Sequence, residues 1–254
     1  MGHFTAGTDA YARHVGRYGV ALSAAHADAA GLAAAHRALD VGCGPGVLLA
    51  ELARRLGAAQ VAGVDPTEPF LAAARAAAPG ADVRLGSAEG LPFDAGAFDV
   101  VLSQLVVNFM DDAEAGVAEM RRVARRAVNS CVWDYAGEMT MLRVFWDAAL
   151  ELDPDAPDEG RTMRFCAPGE LAALWHGAGL REVRTDALVV EAGYADFEDY
   201  WSPFLSGLGP SGAYCASLGD DARAALRDAC FERLGLPPGP FTLSARAWFV
   251  RGAV

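Results

Sequence analysis

The sequence predicts an α/β protein built on a mostly parallel sheet with helices on both faces, and three observations carry that prediction. From Leu39 to Trp133 short apolar runs alternate with amphipathic stretches, the rhythm of strand–helix–strand units. The run Ala38-Leu39-Asp40-Val41 stops at Gly42-Cys43-Gly44-Pro45-Gly46, three glycines in five positions. An acid, Asp65, stands nineteen residues beyond Gly46 at the end of the next apolar run.

The elements follow in order. Ala38 to Val41 is the first strand. Leu48, Leu49, Leu52 and Leu56 then share one helical face, with Glu51 and Arg55 paired four apart on the other. Gln60 to Val64 reads as the second strand, ended by Asp65-Pro66, and Thr67 as the cap of a helix to about Ala78. Asp82 to Leu85 and Phe98 to Leu102 are strands three and four, the latter after the turn residues Asp94-Ala95-Gly96. A helix from Asp111 to about Arg126 places acid first and arginine last, as the helix dipole prefers. Val128 to Trp133 is strand five. Beyond Asp134 the rhythm breaks: a helix spans Met141 to Leu152, and the acidic, proline-rich stretch from Asp153 to Gly160 reads as a solvated connection. A helix, Glu170 to His176, a strand, Gly179 to Val190, helices over Asp196 to Leu205 and Asp220 to Leu234, and a strand, Phe241 to Val250, complete the chain. Thr8 to Ala35 reads as helices.

Composition narrows the function. The 21 basic residues are all arginine, and against 33 acids they leave a net charge of −12, which disfavours a nucleic-acid partner. The dense cluster Arg121, Arg122, Arg125 and Arg126 falls at a helix end, where cations offset the dipole. Five cysteines without metal-ligand spacing read as reduced thiols, and Cys43 as a small residue beside a tight turn. No metal site is expected. The chain lacks an apolar run long enough to span a membrane and a basic-then-apolar leader, so a soluble, cytoplasmic protein is expected.

A glycine-rich turn after a parallel strand exposes backbone N–H groups at the positive end of the next helix, where a ligand can approach closely. A dinucleotide fingerprint has the spacing G-x-G-x-x-G. Here the spacing is G-x-G-x-G, and Val47 stands where the third dinucleotide glycine would. Asp65 is placed to accept hydrogen bonds from ribose hydroxyls.

Leu39-Asp40-Val41-Gly42-Cys43-Gly44-Pro45-Gly46 resembles the first motif of class I S-adenosylmethionine-dependent methyltransferases. Val64-Asp65-Pro66 is similar to the family's second motif, Ser87-Ala88-Glu89-Gly90-Leu91-Pro92-Phe93 to its third, and Phe98-Asp99-Val100-Val101-Leu102-Ser103-Gln104 to its fourth. The resemblance is greatest to the small-molecule, ubiquinone/menaquinone-methyltransferase-like branch, over roughly Tyr11 to Trp133. It implies a Rossmann-like, mostly parallel seven-stranded sheet with an antiparallel last strand and a helical lid. It also implies one domain over 1–254, with a lid at 8–35, a cofactor-binding core at 36–135, lid insertions at 136–165 and 194–236, and sheet-completing parts at 166–193 and 237–254. The implied cofactor is S-adenosylmethionine, leaving as S-adenosylhomocysteine. Gly42, Gly44 and Gly46 would border its amino-acid part, Asp40 hold its amino group, and Asp65 bind the ribose. Pro66 and Phe70 would flank the adenine, Ala88 and Glu89 line its edge, and Gln104 face the methionine end. Ser87 departs from the acid many relatives carry there, and a Pro-Gly-Gly turn before strand five is missing.

The expected reaction is methyl transfer to oxygen, nitrogen or carbon of a small, fairly apolar metabolite by direct in-line displacement. The protein aligns a nucleophile and excludes water, and a base is needed only for a protonated, weak nucleophile. Candidates for the roof of the cleft are Tyr11, His14, Arg17, Tyr18, Asn108, Trp133, Asp134 and Tyr135, with His14 the candidate base and Arg17 or Tyr18 candidates for the cofactor carboxylate. Trp201, Phe204 and Tyr214 could line an apolar pocket. Alternatives are a cofactor-binding cyclase or binding protein on the same scaffold, and a nicotinamide-dependent dehydrogenase, against which the absence of any Tyr-x-x-x-Lys counts.

Overall fold

The computed structural model describes residues 14–254, so Tyr11 and the first part of the expected 8–35 lid lie outside the described residues. The chain divides into two compact units. The first comprises Gly19–Trp133, Arg164–Leu188 and Ala247–Val254; the second comprises the described residues up to Tyr18, Asp134–Met163 and Val189–Arg246. The division falls within the two longest strands.

The first unit follows the alternation read from the sequence: α1 (Gly19–Ala29), β1 (Ala38–Val41), α2 (Val47–Leu56), β2 (Val61–Asp65), α3 (Glu68–Ala77), β3 (Asp82–Leu85), β4 (Phe98–Gln104), α4 (Ala113–Val123), β5 (Ala124–Trp133), and later α7 (Pro168–Gly177). With β6 (Arg181–Tyr194) and β7 (Phe241–Ala253) the strands form one seven-stranded sheet in the order β3-β2-β1-β4-β5-β7-β6. Strands β1 to β5 pair in parallel, and β7 runs antiparallel to β5. The Rossmann-like sheet with an antiparallel last strand is thus observed. Alternate residues on a strand face opposite sides. Ala38, Val61, Val100 and Leu102 accordingly join Ala27, Leu48, Leu49, Leu52 and Ala74 in one hydrophobic core beneath α1, α2 and α3. Helix α4 packs on β4, β5 and α7, and Trp175 of α7 donates its indole N–H to the Val128 carbonyl at 3.0 Å. Among the described residues no helix is long and apolar enough to cross a membrane.

Several boundaries differ from expectation, each for a pairing reason. β5 begins at Ala124, not Val128, because the chain leaves α4 directly into register with β4 at Phe98. Arg125 and Arg126 therefore sit on a strand rather than at a helix end, and both pair with Asp99. β4 extends two residues further, to Gln104. Glu51 pairs with Arg55 as expected and also with Arg54.

The second unit contains α5 (Thr140–Leu152), α6 (Glu159–Thr162), α8 (Phe197–Trp201), α9 (Gly209–Ser217) and α10 (Asp220–Arg233). Aromatic stacking fills it: Phe145 lies on Phe204 with centroids 4.4 Å apart, and Trp146, Trp201 and Tyr214 pack around them. The acidic stretch read as a solvated connection is instead partly buried. Asp158 takes hydrogen bonds from Arg143 at 2.8 Å and from the Gly160 N–H, and Glu159 takes one from the Trp146 indole at 2.9 Å. Burial raises the Glu159 carboxyl to about 7. Helix α9 has no expected counterpart, since the sequence reading places no element between Leu205 and Asp220; its Pro210 falls in the first helical turn, where proline is tolerated.

Gly46 has φ +92°, and a Cβ there would come within 2.8 Å of the Ala74 backbone, whereas at Gly44, with φ +51°, a Cβ would meet nothing within 4 Å. Gly46→Ala is expected to cost about 2–4 kcal/mol, backbone strain plus overpacking, and Gly44→Ala only about 1–2 kcal/mol of strain. Urea unfolding of the two variants measures the difference, and equal losses would contradict the packing argument.

Candidate active site

The carboxyl edges of β1, β2 and β4 converge on the glycine loop. Gly42 and Cys43 both donate backbone N–H groups to the Val64 carbonyl, at 2.8 and 3.0 Å, and Gly46 donates to the Cys43 carbonyl at 2.9 Å. The Gly44 N–H donates to Asp65 Oδ2 at 2.9 Å, while Asp65 Oδ1 accepts the Thr67 N–H at 2.8 Å. The loop is therefore tied to the end of β2 at three points. Gly42 and Gly46 are required by close packing, since a Cβ at Gly42 would lie 2.5 Å from a Val106 methyl. Gly44 has no such neighbour, so its bare backbone faces outward. Cys43 is buried, and burial together with Asp40 and Asp65 holds its thiol far above the ordinary range. It behaves as the small packed residue that was expected.

Asp40 is 1% exposed and its Oδ2 has no hydrogen-bond partner. Desolvation, then the neighbouring Asp65 charge, push its carboxyl up to about 8, against a smaller opposing hydrogen bond from the Leu49 backbone. Asp40 pairs in register with Leu102, so Gln104, two residues on, presents its side chain to the same face one strand away. Gln104 donates from Nε2 to Ser23 Oγ of α1 at 2.9 Å, and its Oε1 is buried with no partner. Immediately after it, Leu105 adopts φ +61°, an uncommon value for a residue with a Cβ, found where the chain turns at functional edges. Next along the β2 edge, Pro66 is exposed and Phe70 half-buried. Ala88 is buried on the Gly116 side of α4, and Glu89 Oε1 accepts the Asp112 N–H at 3.5 Å. Asp40, the three glycines, Asp65, Pro66, Phe70, Ala88, Glu89 and Gln104 all belong to the first unit.

A family model described as a methyltransferase domain matches residues 39–128, the segment that carries this edge. A demethylmenaquinone methyltransferase from Roseiflexus castenholzii is 33% identical over 165 residues, covering 58% of this chain and 68% of the relative. The chain belongs to the class I S-adenosylmethionine-dependent methyltransferases. Other curated relatives are spanned over about half of their length or less. Among solved structures, a methyltransferase from an antibiotic biosynthesis pathway of Anabaena variabilis superposes with a TM-score of 0.60 at 17% identity, covering 92% of this chain and 97% of that one. The [4+2]-cyclase SpnF superposes at 0.55 with 18% identity, covering 92% and 80%. At those identities the likeness is one of fold.

Of the remaining described candidates of this methyltransferase, Asn108 and Trp133 also belong to the first unit, and the others lie in the second. His14 is buried, its ring 4.9 Å from Phe204 edge-on, with Nε2 3.5 Å from Ser211 Oγ and Nδ1 unpartnered. Burial, with a smaller contribution from Arg17, lowers it to about 4, so the ring is neutral at physiological pH. Arg17 forms a bidentate pair with the Asp199 carboxylate, donates to the Gly193 carbonyl and lies 4.0 Å over the Tyr194 ring. Tyr18 shares a 3.1 Å hydrogen bond with the Tyr194 hydroxyl. Asp134 accepts hydrogen bonds from Arg246 and from the Glu138 N–H.

Two polar residues on α1 escaped the sequence reading, Ser23 and His26. His26 is fully buried, with Nδ1 3.5 Å from Cys131 Sγ. Burial lowers it to about 4, and Gln104, close but not at hydrogen-bond geometry, opposes the shift. The available signal was their spacing of three on one helical face.

Because the Asp40 carboxyl rises from 3.8 to about 8 on folding, the folded protein holds a proton that the unfolded chain has lost. Stability contributed by this group is full below about pH 4 and disappears as pH rises to about 8. Asp40→Asn is therefore expected to melt higher than wild type at pH 8, by a margin that shrinks toward pH 5. A margin independent of pH between those values would refute the assignment.

Proposed function

We propose that this methyltransferase transfers a methyl group to oxygen, nitrogen or carbon of a small, fairly apolar metabolite by direct in-line displacement. The observation that carries the reading is the pairing of the outward backbone at Gly44 with two inward acceptors, Asp40 Oδ2 and Gln104 Oε1, at one edge of the sheet. A buried acceptor without a partner is uncommon in a protein interior, and this pair suits the ammonium end of an amino-acid-bearing ligand. Demethylmenaquinone, nocamycin and ubiquinone-biosynthesis methyltransferases among the relatives support a small-molecule acceptor.

In this reading Gly42, Gly44 and Gly46 border the amino-acid part of the cofactor. Asp65 turns its remaining lone pairs to the ribose, Pro66 and Phe70 flank the adenine, and Ala88 with Glu89 line the adenine edge. The bound sulfonium supplies an activated methyl whose leaving group is a neutral thioether. The protein's part is to orient, to exclude water and, where the acceptor carries a proton, to receive it. His14 is the assigned base, since its buried, neutral ring keeps Nδ1 available as an acceptor.

S-adenosylhomocysteine is expected to raise the melting temperature by several degrees, and Asp65→Ala to abolish the shift. Labelled methyl from S-adenosylmethionine should then appear in a member of a panel of phenols, quinols and amines. A shift with NADH instead would overturn the reading, and cofactor binding without transfer to any acceptor would favour the cyclase-like alternative. His14→Ala is expected to lower turnover at least tenfold with S-adenosylhomocysteine affinity nearly unchanged, and unaltered turnover would remove His14 from the chemistry.

A further inference from the structure

His14 and Arg17 stand three residues apart on one 3₁₀ turn: the Arg17 N–H donates to the His14 carbonyl at 3.3 Å, and the turn continues as Val15–Tyr18. Side chains at that spacing share one side of such a turn. The two are held very differently. The His14 ring meets Phe204 edge-on and the Ser211 hydroxyl at 3.5 Å, contacts too weak to fix a buried imidazole by themselves. Arg17 grips the join between β6 and α8. Its guanidinium donates to the two Asp199 carboxylate oxygens at 2.9 and 3.2 Å and to the Gly193 carbonyl at 2.9 Å, and it stacks 4.0 Å over the Tyr194 ring. That anchor is itself fixed. Asp199 also accepts the Ala195 N–H, its own N–H donates to Asp196, and Tyr194 stacks on Phe241 with centroids 5.1 Å apart. All these residues belong to the second unit.

We propose that Arg17 is a positioning residue for His14: its clamp on Asp199, Gly193 and Tyr194 sets the turn that carries His14 and so seats the imidazole against Phe204. The inference rests on the reading of His14 as the base. Arg17, a candidate for the cofactor carboxylate, instead has its charge matched by Asp199 within its own unit. The clamp also acts on the charge of the ring. Burial first, and then the Arg17 cation, lower His14, while Phe204 and Ser211 bring no charge to it, so the seated imidazole is neutral. None of this depends on which way the Ser211 hydroxyl turns.

NMR titration of the histidine-labelled protein between about pH 5 and 7.5, the range of imidazole switching, tests the clamp without an acceptor, with the His14 signal assigned from His14→Ala. Wild-type His14 is expected to stay neutral across the range. Arg17→Gln is expected to raise its midpoint by about one pH unit or more and to leave unmoved that of His26, which burial also lowers. Arg17→Lys keeps the charge but not the two-pronged contact, and is expected to move His14 the same way by less. An unmoved His14, a His26 that moves with it as general loosening would cause, or a lysine variant identical to wild type overturns the proposal. On the acceptor found in the panel of phenols, quinols and amines, Arg17→Gln is expected to lower turnover about tenfold with S-adenosylhomocysteine affinity unchanged, and to add nothing in a His14→Ala background. A further loss in that background overturns the positioning role while the base reading stands. Full turnover in His14→Ala, or no transfer to any member of the panel, overturns the base reading and this proposal with it.

Discussion

One carboxylate, that of Asp65, accepts the Gly44 N–H through one oxygen and the Thr67 N–H through the other, and so joins the loop after β1 to the N-cap residue of α3. The turn at Gly42 is held to the same strand end through the Val64 carbonyl. With these contacts made, the loop has little freedom left, and its three glycines divide the work. Gly42 and Gly46 let Val106 and Ala74 close in on either side, while Gly44 leaves its own surface bare. Two positions are thus consequences of packing and one is open to a ligand. Spacing alone treats the three alike.

The same clamp shapes the electrostatics. Asp40 and Asp65 lie on adjacent strands, with Asp40 buried, so ionising both in a low-dielectric setting is costly, and the Asp40 carboxyl rises accordingly. Burial and the two acids also push up the Cys43 thiol. The loop therefore concentrates acceptor groups without a compensating cation among its hydrogen-bond partners. S-adenosylmethionine carries an ammonium and a sulfonium, and a ligand of that kind relieves the imbalance by charge rather than by shape. A dinucleotide, with an anionic pyrophosphate, would worsen it.

Most strand positions were legible because buried parallel strands show as apolar runs cut by turn residues, whereas the order of the strands in the sheet is not written in such runs. β1 and β3 fall where the sequence places them. The errors came where partners set the boundary: β5 starts early because β4 offers a partner at Phe98, and Asp158 and Glu159 are buried because Arg143 and Trp146, 15 and 13 residues earlier on α5, satisfy them. Composition could not show that. The glycine loop and Asp65 were readable from local order alone, whereas Arg17 is committed to Asp199 and Tyr18 to Tyr194, pairings that span more than 170 residues. No helical pattern near the N-terminus encodes them.

Helix α1 explains why its part in the site was hidden. Its buried residues, Gly19, Leu22, Ser23, His26 and Ala27, recur at the three-and-four spacing of a single helical face. Two of the five are polar, so hydrophobicity does not reveal the face. A protein that needed this helix only for packing would be more stable with apolar residues at both positions, since buried polar groups contribute favourably only when paired. Ser23 meets that condition through Gln104, and His26 meets it in part through Cys131. What such a face gains over an apolar one is a pair of directional contacts, Ser23 to β4 and His26 to β5, which fix how α1 seats on the two strands.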